Sequence, residues 1–350
     1  MHIRYIALVI GFSLTVFQCI LCQPTSFQIS MDVTGHRLAD VAVNEEDRLM
    51  LMFYGPPFTI SSQFLYMMDI TDGANSQSAS RLSFSSTTLF HIRFRANFRH
   101  DKITMMQTLT QGLSPVAVIN HNTTTGQTWI RKAGTGGSRG DFAQDETGNI
   151  IIVQQRNSLS SPDLAAYLYK LDSMGNNIWS KWLRFNKIGM DPQPTYVYEL
   201  GYIAGEGIYL SGKFGEFNSS PQDEHFVMKL DADGTPAIMK TIGNHALTQL
   251  YTAHDGIYLL GKSSAGSFPF TGNTSNAVLA KFDRQLEFQW AKVFHAQAFE
   301  YARATLNIAA DSTLVLGYST FGAFPVVLAR LDAAGNILWQ KGVPPVRTTG

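Results

Sequence analysis

The sequence predicts an all-β protein, a β-propeller whose four-stranded blades each span roughly 50 residues. Three observations lead to this fold. A motif of a basic residue, Leu or Phe, and Asp recurs at a steady period, and short apolar runs rich in β-forming residues surround each copy. No stretch beyond the first two dozen residues has the periodicity of a helix. Six blades fit the chain, or seven if it continues beyond Gly350.

The first 22 residues are predicted to be a secretory signal peptide. Arg4 gives this segment a positive head, and an apolar run follows from residue 6 to residue 21. The run is shorter than the ~20 apolar residues of a membrane-spanning helix. Cleavage after Cys22 is expected, with lipid attachment to Cys22 as the alternative, which the large Leu21 disfavours. Residues 23–350 are then a single domain that is secreted or held in the cell envelope, without a membrane span.

Composition excludes several classes of protein. Both cysteines, Cys19 and Cys22, lie in the leader, so the mature chain is expected to have no disulfide, thiol nucleophile or thiolate metal site. The formal net charge is zero and only 15% of the residues are charged. Without a basic stripe, nucleic acid is not an expected partner.

The repeat is the most informative feature. Four copies align without gaps, each with an apolar residue seven positions after the Asp and a Lys nine positions after it. They begin at Lys170, Lys229, Lys281 and Arg330, and their seventh positions hold Trp179, Ile238, Trp290 and Trp339. Weaker copies are anchored at Asp69 and Asn120, the latter with a turn two residues longer and Trp129 beyond it. The predicted repeats span about 33–84, 85–134, 135–189, 190–243, 244–295 and 296–343. A further strand at residues 27–33 is expected either to close the ring by pairing with C-terminal strands or to be extra to the six full copies.

Each copy has a physical interpretation as a β-hairpin. The Asp side chain can accept backbone N–H groups of the turn, and a Gly three residues later can take the positive φ that the turn needs. Leu286 occupies that Gly position in the third copy. Upstream runs such as Ile208–Gly212 and Ile257–Gly261 suit strands that are covered on both faces. The recurring Trp residues are expected to fill the seams between blades rather than to hold a ligand.

These units resemble a known family of repeats. Residues 207–212 with 229–234, and residues 256–261 with 281–292, are similar to the propeller repeats of exported proteins of Bacteroidetes-like bacteria. The resemblance covers about residues 33–343 and implies a propeller, export and no assigned chemistry. Residues 331–339 also resemble the blade motif of quinoprotein propellers, such as pyrroloquinoline-quinone dehydrogenases. Those families usually have eight shorter blades, and the dehydrogenases often carry a cysteine pair beside the cofactor, so no cofactor is expected here.

Other motifs are explained more simply by the repeat. Residues 136–140 match the nucleophile pattern G-x-S-x-G but lack the strand before it and the helix after it. Residues 136–140 are instead predicted to form a Gly-rich turn between blades. Arg139–Asp141 is the tripeptide that integrin-type receptors read, and it is predicted to lie in that turn. Asp231 and Asp233 suggest a calcium loop, but Ile242 stands where the last carboxylate is needed, so turn capping is favoured. N-glycosylation sequons begin at Asn122, Asn218 and Asn273.

The sequence therefore predicts no catalytic, cofactor-binding or metal-binding residue, and no histidine has metal-ligand spacing. The predicted function is a non-enzymatic binding or scaffold module whose partner is a protein or a glycan. The alternative is a six-bladed, metal-dependent, lactonase-like hydrolase. Its carboxylate, Asn or His side chains would converge at the central channel from separate blades.

Overall fold

The computed structural model describes the strands and several of the turns between them. These are residues 4–10, 14–20, 28–31, 37–43, 49–54, 63–70, 77–84, 94–99, 102–108, 116–122, 124–133, 139–155, 166–183, 195–214, 224–243, 246–262, 277–294, 305–308, 314–319 and 326–343. They form strands and turns without a helix, so none of these segments is a helix that could cross a membrane.

The N-terminal strands β1 (Arg4–Ile10), β2 (Leu14–Ile20) and β3 (Gln28–Met31) form a three-stranded sheet in that order, with β1 and β2 antiparallel. Strands β1 and β2 lie in the predicted signal peptide. That prediction concerns processing of the newly made chain, which a folded structure does not test. Strand β3 lies beside β2, whereas the sequence suggested pairing with C-terminal strands.

Six further sheets share one design of four strands, hydrogen-bonded in chain order. The first three sheets are β4 (Arg37–Val43), β5 (Leu49–Tyr54), β6 (Gln63–Ile70) and β7 (Gln77–Phe84); β8 (Phe94–Arg99), β9 (Lys102–Thr108), β10 (Val116–Asn122) and β11 (Thr128–Ala133); and β12 (Arg139–Gln144), β13 (Ile150–Gln155), β14 (Ala166–Leu171) and β15 (Asn177–Leu183).

The other three are β16 (Thr195–Ile203), β17 (Gly207–Phe214), β18 (Glu224–Leu230) and β19 (Pro236–Gly243); β20 (Ala246–Ala253), β21 (Gly256–Lys262), β22 (Ala277–Phe282) and β23 (Phe288–Phe294); and β24 (Thr305–Ile308), β25 (Leu314–Ser319), β26 (Val326–Leu331) and β27 (Ile337–Val343). The chain divides into two compact units, one of residues 1–30 and 198–350 and the other of residues 31–197. The predicted single domain and the repeat bounds stay predictions.

Among the side chains that the structure describes, the core lies mainly on the second and third strands of their sheets. Every residue of β13 and of β17 is buried, which confirms the prediction of strands covered on both faces. The fourth strands β15 and β19 instead run along the outside, with exposed and partly buried residues in alternation. Because apolar burial contributes ~25 cal/mol per Å², β13 and β17 supply much of the stabilisation of their two sheets.

The turn between the third and fourth strands has the predicted chemistry. The Oδ1 atom of Asp172 accepts the N–H groups of Met174 and Asn176, each at 2.8 Å. Asp332 makes the same two bonds in the last sheet, at 3.0 and 2.8 Å. Gly175 and Gly335 have φ angles of +82° and +78°. Side-chain oxygens therefore cap these turns, as the repeat predicted.

The second sheet corrects one anchor of the repeat. The predicted anchor Asn120 is buried and donates to the Oγ1 atom of Thr104 at 2.8 Å, so it does not cap the turn. Asn122 does, because its Oδ1 atom accepts the N–H groups of Thr124 and Thr125 at 3.0 and 2.7 Å. With Asn122 as anchor, Trp129 stands seven positions later, as in the other copies. The repeat is therefore more regular with Asn122 as the anchor of the second copy than with the predicted anchor Asn120.

A β-bulge directs the residue at that seventh position, here called the seam residue. In four sheets the register shifts immediately before the motif's Leu or Phe, so that the basic residue lies opposite the seam residue. The pairs are Lys170 with Trp179, Lys229 with Ile238, Lys281 with Trp290, and Arg330 with Trp339. A bulge inserts one extra residue and re-aims the side chain beside it, which gives the seam residues a common orientation.

Two seam tryptophans dock on the glycine turn of the next sheet. The indole N–H of Trp129 donates to the Ser173 carbonyl at 3.2 Å, and that of Trp290 donates to the Ala333 carbonyl at 3.3 Å. A Cβ atom at Gly335 would lie 2.8 Å from the Trp290 ring, and one at Gly175 would lie 3.0 Å from the Trp129 ring. These contacts confirm that both tryptophans pack between neighbouring sheets.

Gly335→Ala is expected to lower the free energy of unfolding by about 1–3 kcal/mol, because a side chain in the left-handed region costs ~1–2 kcal/mol and the Trp290 ring must also move. Urea unfolding measures the change. Ala334→Gly, one residue away and exposed, is the matched control. Equal losses in the two variants would show that contact with Trp290 does not restrict position 335.

Candidate functional site

A repeated ion pair explains the basic residue of the motif. The ammonium group of Lys170 lies 2.8 Å from Asp145, and that of Lys229 lies 2.7 Å from Glu206. Lys281 forms the same pair with Asp255. Each acid lies in the turn between the first and second strands of its own sheet. The three Lys side chains are only 12–13% exposed, so these pairs stabilise the sheets rather than offer charge to a ligand.

The ion pair of Asp145 is the most enclosed of the three. Burial opposes ionisation of this carboxyl, but Lys170 and hydrogen bonds from Thr147 and Asn149 outweigh it and lower the pKa of Asp145 to about 2. The N–H of Asn149 donates to Oδ1 at 2.9 Å, and its side-chain amide donates to Oδ2 at 2.9 Å. Asp145 therefore caps a turn and neutralises a buried lysine at once.

An arginine connects the fourth and fifth of the four-stranded sheets. Arg284 lies 3.1 Å from Glu206 through Nη1 and donates to the His254 carbonyl through Nε at 2.7 Å. The Tyr209 hydroxyl donates to the Arg284 carbonyl at 2.9 Å. Because Glu206 also holds Lys229, the charges in this group pair with one another. The arrangement is suited to fixing two sheets together.

Buried polar side chains gather in the fourth of these sheets. Glu199, Ser211, Lys213 and His225 are at most 5% exposed. Lys213 lies opposite His225 in the pairing of β17 with β18, and Glu199 accepts the Leu250 N–H at 2.6 Å. These four side chains are therefore enclosed within the structure. In the part of the chain with described side chains, no three His, Cys, Asp or Glu residues are placed to share a metal ion.

The third of these sheets carries an aromatic cluster that reaches the surface. We define the aromatic platform as Tyr167, Tyr169 and Trp182. Tyr167 and Trp182 are directly opposite on β14 and β15, with ring centroids 4.3 Å apart in an edge-to-face arrangement. Tyr169 lies 4.3 Å from Tyr167 and is 8% exposed, whereas Trp182 is 45% exposed. The three rings are thus in contact in the order Tyr169, Tyr167 and Trp182, from the buried end to the exposed end.

The platform departs from the repeat at all three of its positions. The residues equivalent to Trp182 in the three gapless sister copies are Thr241, Val293 and Gly342, and those equivalent to Tyr169 are Met228, Ala280 and Ala329. At the position of Tyr167 they are Phe226, Val278 and Val327. The fold is built without a Trp at this place in those copies. Trp182 was not among the predicted site residues because it does not recur, and its departure from the period was the available signal in the sequence.

Other sequence motifs prove to be parts of strands and turns. Arg139–Asp141 begins strand β12, and Asp141 is 1% exposed, so the prediction of an inter-blade turn is wrong for these residues. Ser138 lies outside the described residues, as do the sequons at Asn218 and Asn273. Asp231 accepts the Thr235 N–H at 2.8 Å, and Asp233 accepts it at 3.1 Å, which confirms turn capping.

Comparison with solved structures identifies the fold. The β-propeller domain of the Trilobed protease from Pyrococcus furiosus, which has an open velcro topology, matches with a TM-score of 0.56 and 11% identity, over 97% of this chain and 91% of that domain. The acylaminoacyl peptidase of Pyrococcus horikoshii matches with a TM-score of 0.53 and 12% identity, over 98% of this chain and 50% of the peptidase. No family model and no curated protein matches the chain.

These likenesses, at such low identity, establish the fold alone. Together with the four-stranded antiparallel sheets they show an all-β propeller. The resemblance to exported bacterial repeats rests on the sequence motifs. Within the described residues, Trp182 of the aromatic platform is an exposed ring that the repeat does not require; Phe288, 48% exposed, is another, but it is paired with one ring rather than with a cluster of two tyrosines.

Proposed function

We propose that this chain is an exported, non-enzymatic propeller that binds a protein or a glycan on its surface. The observation that carries the proposal is the aromatic platform, where a large ring stays 45% exposed although sister copies pack without it. Exposed aromatic groups on a rigid scaffold favour binding because their rings lose little conformational entropy. The ion pairs described above join turns and strands of the same sheet or of neighbouring sheets.

Export is the second part of the proposal, and the expected result is a mature chain that begins at Gln23. The apolar segment before Cys22 would be removed during secretion. N-terminal sequencing and intact mass of protein from the envelope and the medium measure this. Full-length chain that retains Met1 and stays in the cytoplasm would contradict export. A mass consistent with an acylated Cys22 would replace release with lipid anchoring.

We also propose that the six four-stranded sheets are the six blades of one ring. Their shared strand order and the seam contacts between successive sheets support this arrangement. A crystal structure of the mature chain tests it by the number of blades and the way the last blade meets the first. Seven blades would contradict the proposal.

The hydrolase alternative is tested on the same preparation. We expect no stoichiometric metal by elemental analysis and no turnover of lactone or ester substrates. Binding together with inactivity supports the scaffold. A stoichiometric metal whose removal abolishes turnover would replace the binding proposal with the metal-dependent enzyme.

A further inference from the structure

We infer that the aromatic platform binds the sugar rings of a neutral polysaccharide, with Trp182 as the stacking surface. This inference rests on the proposed binding function and deepens it by naming the ligand class. A pyranose ring presents apolar C–H groups on its faces and hydroxyl groups around its edge. A site that recognises it therefore needs an exposed aromatic ring with neutral polar groups beside it.

The platform is held in place before any ligand arrives. Tyr169 belongs to an apolar cluster with Met106, Val116 and Phe142, and Tyr167 packs against that cluster. Tyr167 then meets the Trp182 ring edge-to-face at 4.3 Å. Because each ring restrains the next, Trp182 has little rotational freedom left to lose, and binding is not opposed by a large entropy cost.

The polar group that a sugar requires lies on the same face. Ser180 is exposed and stands opposite Tyr169, just as Trp182 stands opposite Tyr167. Residues two apart on a strand point to the same side and are ~7 Å apart. The Ser180 hydroxyl can both donate and accept a hydrogen bond, which matches the hydroxyl edge of a sugar that stacks on Trp182.

The charge of this face favours a neutral ligand. Tyr167, Tyr169, Ser180 and Trp182 carry no formal charge, and the alternation of the strands places Lys170 and Lys181 on the other side. Lys181 stands over the ring of Trp179, 5.7 Å from its centroid. An anionic polymer or a phosphate would find no cation among the described side chains of the platform.

The small extent of the platform also favours a glycan over a protein. A stable protein interface buries ~1,200–2,000 Å² and is usually anchored by several Trp, Tyr or Arg residues. One exposed ring with a hydroxyl neighbour fits the smaller footprint of a sugar chain. A sugar chain is therefore the ligand that we assign to the platform.

The experiment measures binding of the mature chain to soluble polysaccharides by affinity electrophoresis and calorimetry. The neutral probes are a β-glucan, a xylan, a galactomannan and chitin oligosaccharides, and the anionic probes are alginate and heparin. We expect at least one neutral probe to bind, with an affinity that hardly changes with salt because no charges pair. Trp182→Ala should weaken that binding about tenfold or more, whereas Trp182→Phe should retain most of it.

Ile178→Ala is the matched control, because Ile178 is on the same strand and 49% exposed but is not aromatic. It should bind as the unmodified chain does, and circular dichroism should show all three variants folded. Neutral-polysaccharide binding that survives Trp182→Ala would overturn the inference and leave the binding function standing. Failure of every neutral probe, or salt-sensitive binding of the anionic ones, would also overturn it, whereas metal-dependent turnover would remove the proposed function itself.

Discussion

Leu286→Gly is expected to lower the free energy of unfolding by about 2–4 kcal/mol. Leu286 occupies the turn position that other copies give to Gly, with a φ angle of +62° and 1% exposure. It packs in one apolar cluster with Ile238, the seam residue of the preceding sheet. Where the seam residue is the larger Trp290, the facing turn position is Gly335. Leu286 therefore fills the volume that Ile238 leaves empty, and this gain exceeds the strain of its backbone.

The double variant tests this exchange of volume. Ile238→Trp alone should also destabilise the chain, since the new ring overlaps Leu286. Ile238→Trp combined with Leu286→Gly should recover much of the loss, because it recreates the pair that Trp290 and Gly335 form. Urea unfolding of the four proteins gives the coupling energy, expected to be about 1–3 kcal/mol. Losses that simply add would refute complementary packing at this seam.

Asp145→Asn is expected to cost about 3 kcal/mol near neutral pH, because it leaves the Lys170 ammonium group enclosed without its carboxylate. The pKa of Asp145 is lowered to about 2 in the folded chain, below the ordinary value of 3.8. Its ionised form therefore stabilises the fold above the ordinary pKa, and that contribution is lost as the pH falls from about 4 to about 2. The difference in free energy of unfolding between Asp145→Asn and the unmodified chain should therefore become smaller as the pH falls through this range.

Asp172→Asn is the matched control for that experiment. Asp172 caps its turn through Asn176 with the same backbone and side-chain bonds that Asp145 makes with Asn149. Asp145 differs from Asp172 by its ion pair with Lys170 and by a hydrogen bond from the Thr147 hydroxyl at 2.7 Å, so the comparison measures these two contacts together. Asp172→Asn should lower the free energy of unfolding by well under half as much as Asp145→Asn does. Denaturant melts at several pH values measure both, and equal losses would assign the whole effect to turn capping.

Much of the fold was predictable because its signals are local. The turn at Asp172 needs a carboxylate and a Gly at fixed spacing, and the buried strand at Ile208 needs an unbroken apolar run. The partner of Lys170 was not predictable in the same way. Its acid lies on another turn, and the equivalent acids Asp145, Glu206 and Asp255 stand 25, 23 and 26 positions before their Lys partners. Only the folded sheet shows that these groups meet.

The candidate site was hidden for a different reason. The residues that recur are those that the fold needs in every copy, and Trp179 and Trp290 are among them. Trp182 appears once, directly after the recurring Lys181, and its meaning depends on exposure and on the rings opposite it. Exposure is a property of the assembled sheet. A residue that breaks the period is therefore a useful signal for function only after the period has been explained structurally.

The seam tryptophans have a consequence for how this chain can change over generations. Trp129 and Trp290 each bind a main-chain carbonyl, at Ser173 and at Ala333, and every amino acid supplies that acceptor. Selection on the seam therefore leaves the side chain at this position unconstrained. In the fifth sheet the equivalent residue is Arg284, whose carbonyl accepts from the Tyr209 hydroxyl instead of an indole and whose side chain contacts Glu206. Because the tryptophan recognises the backbone, the side chain at the position of Ser173 and Ala333 can change while the contact between the sheets is kept.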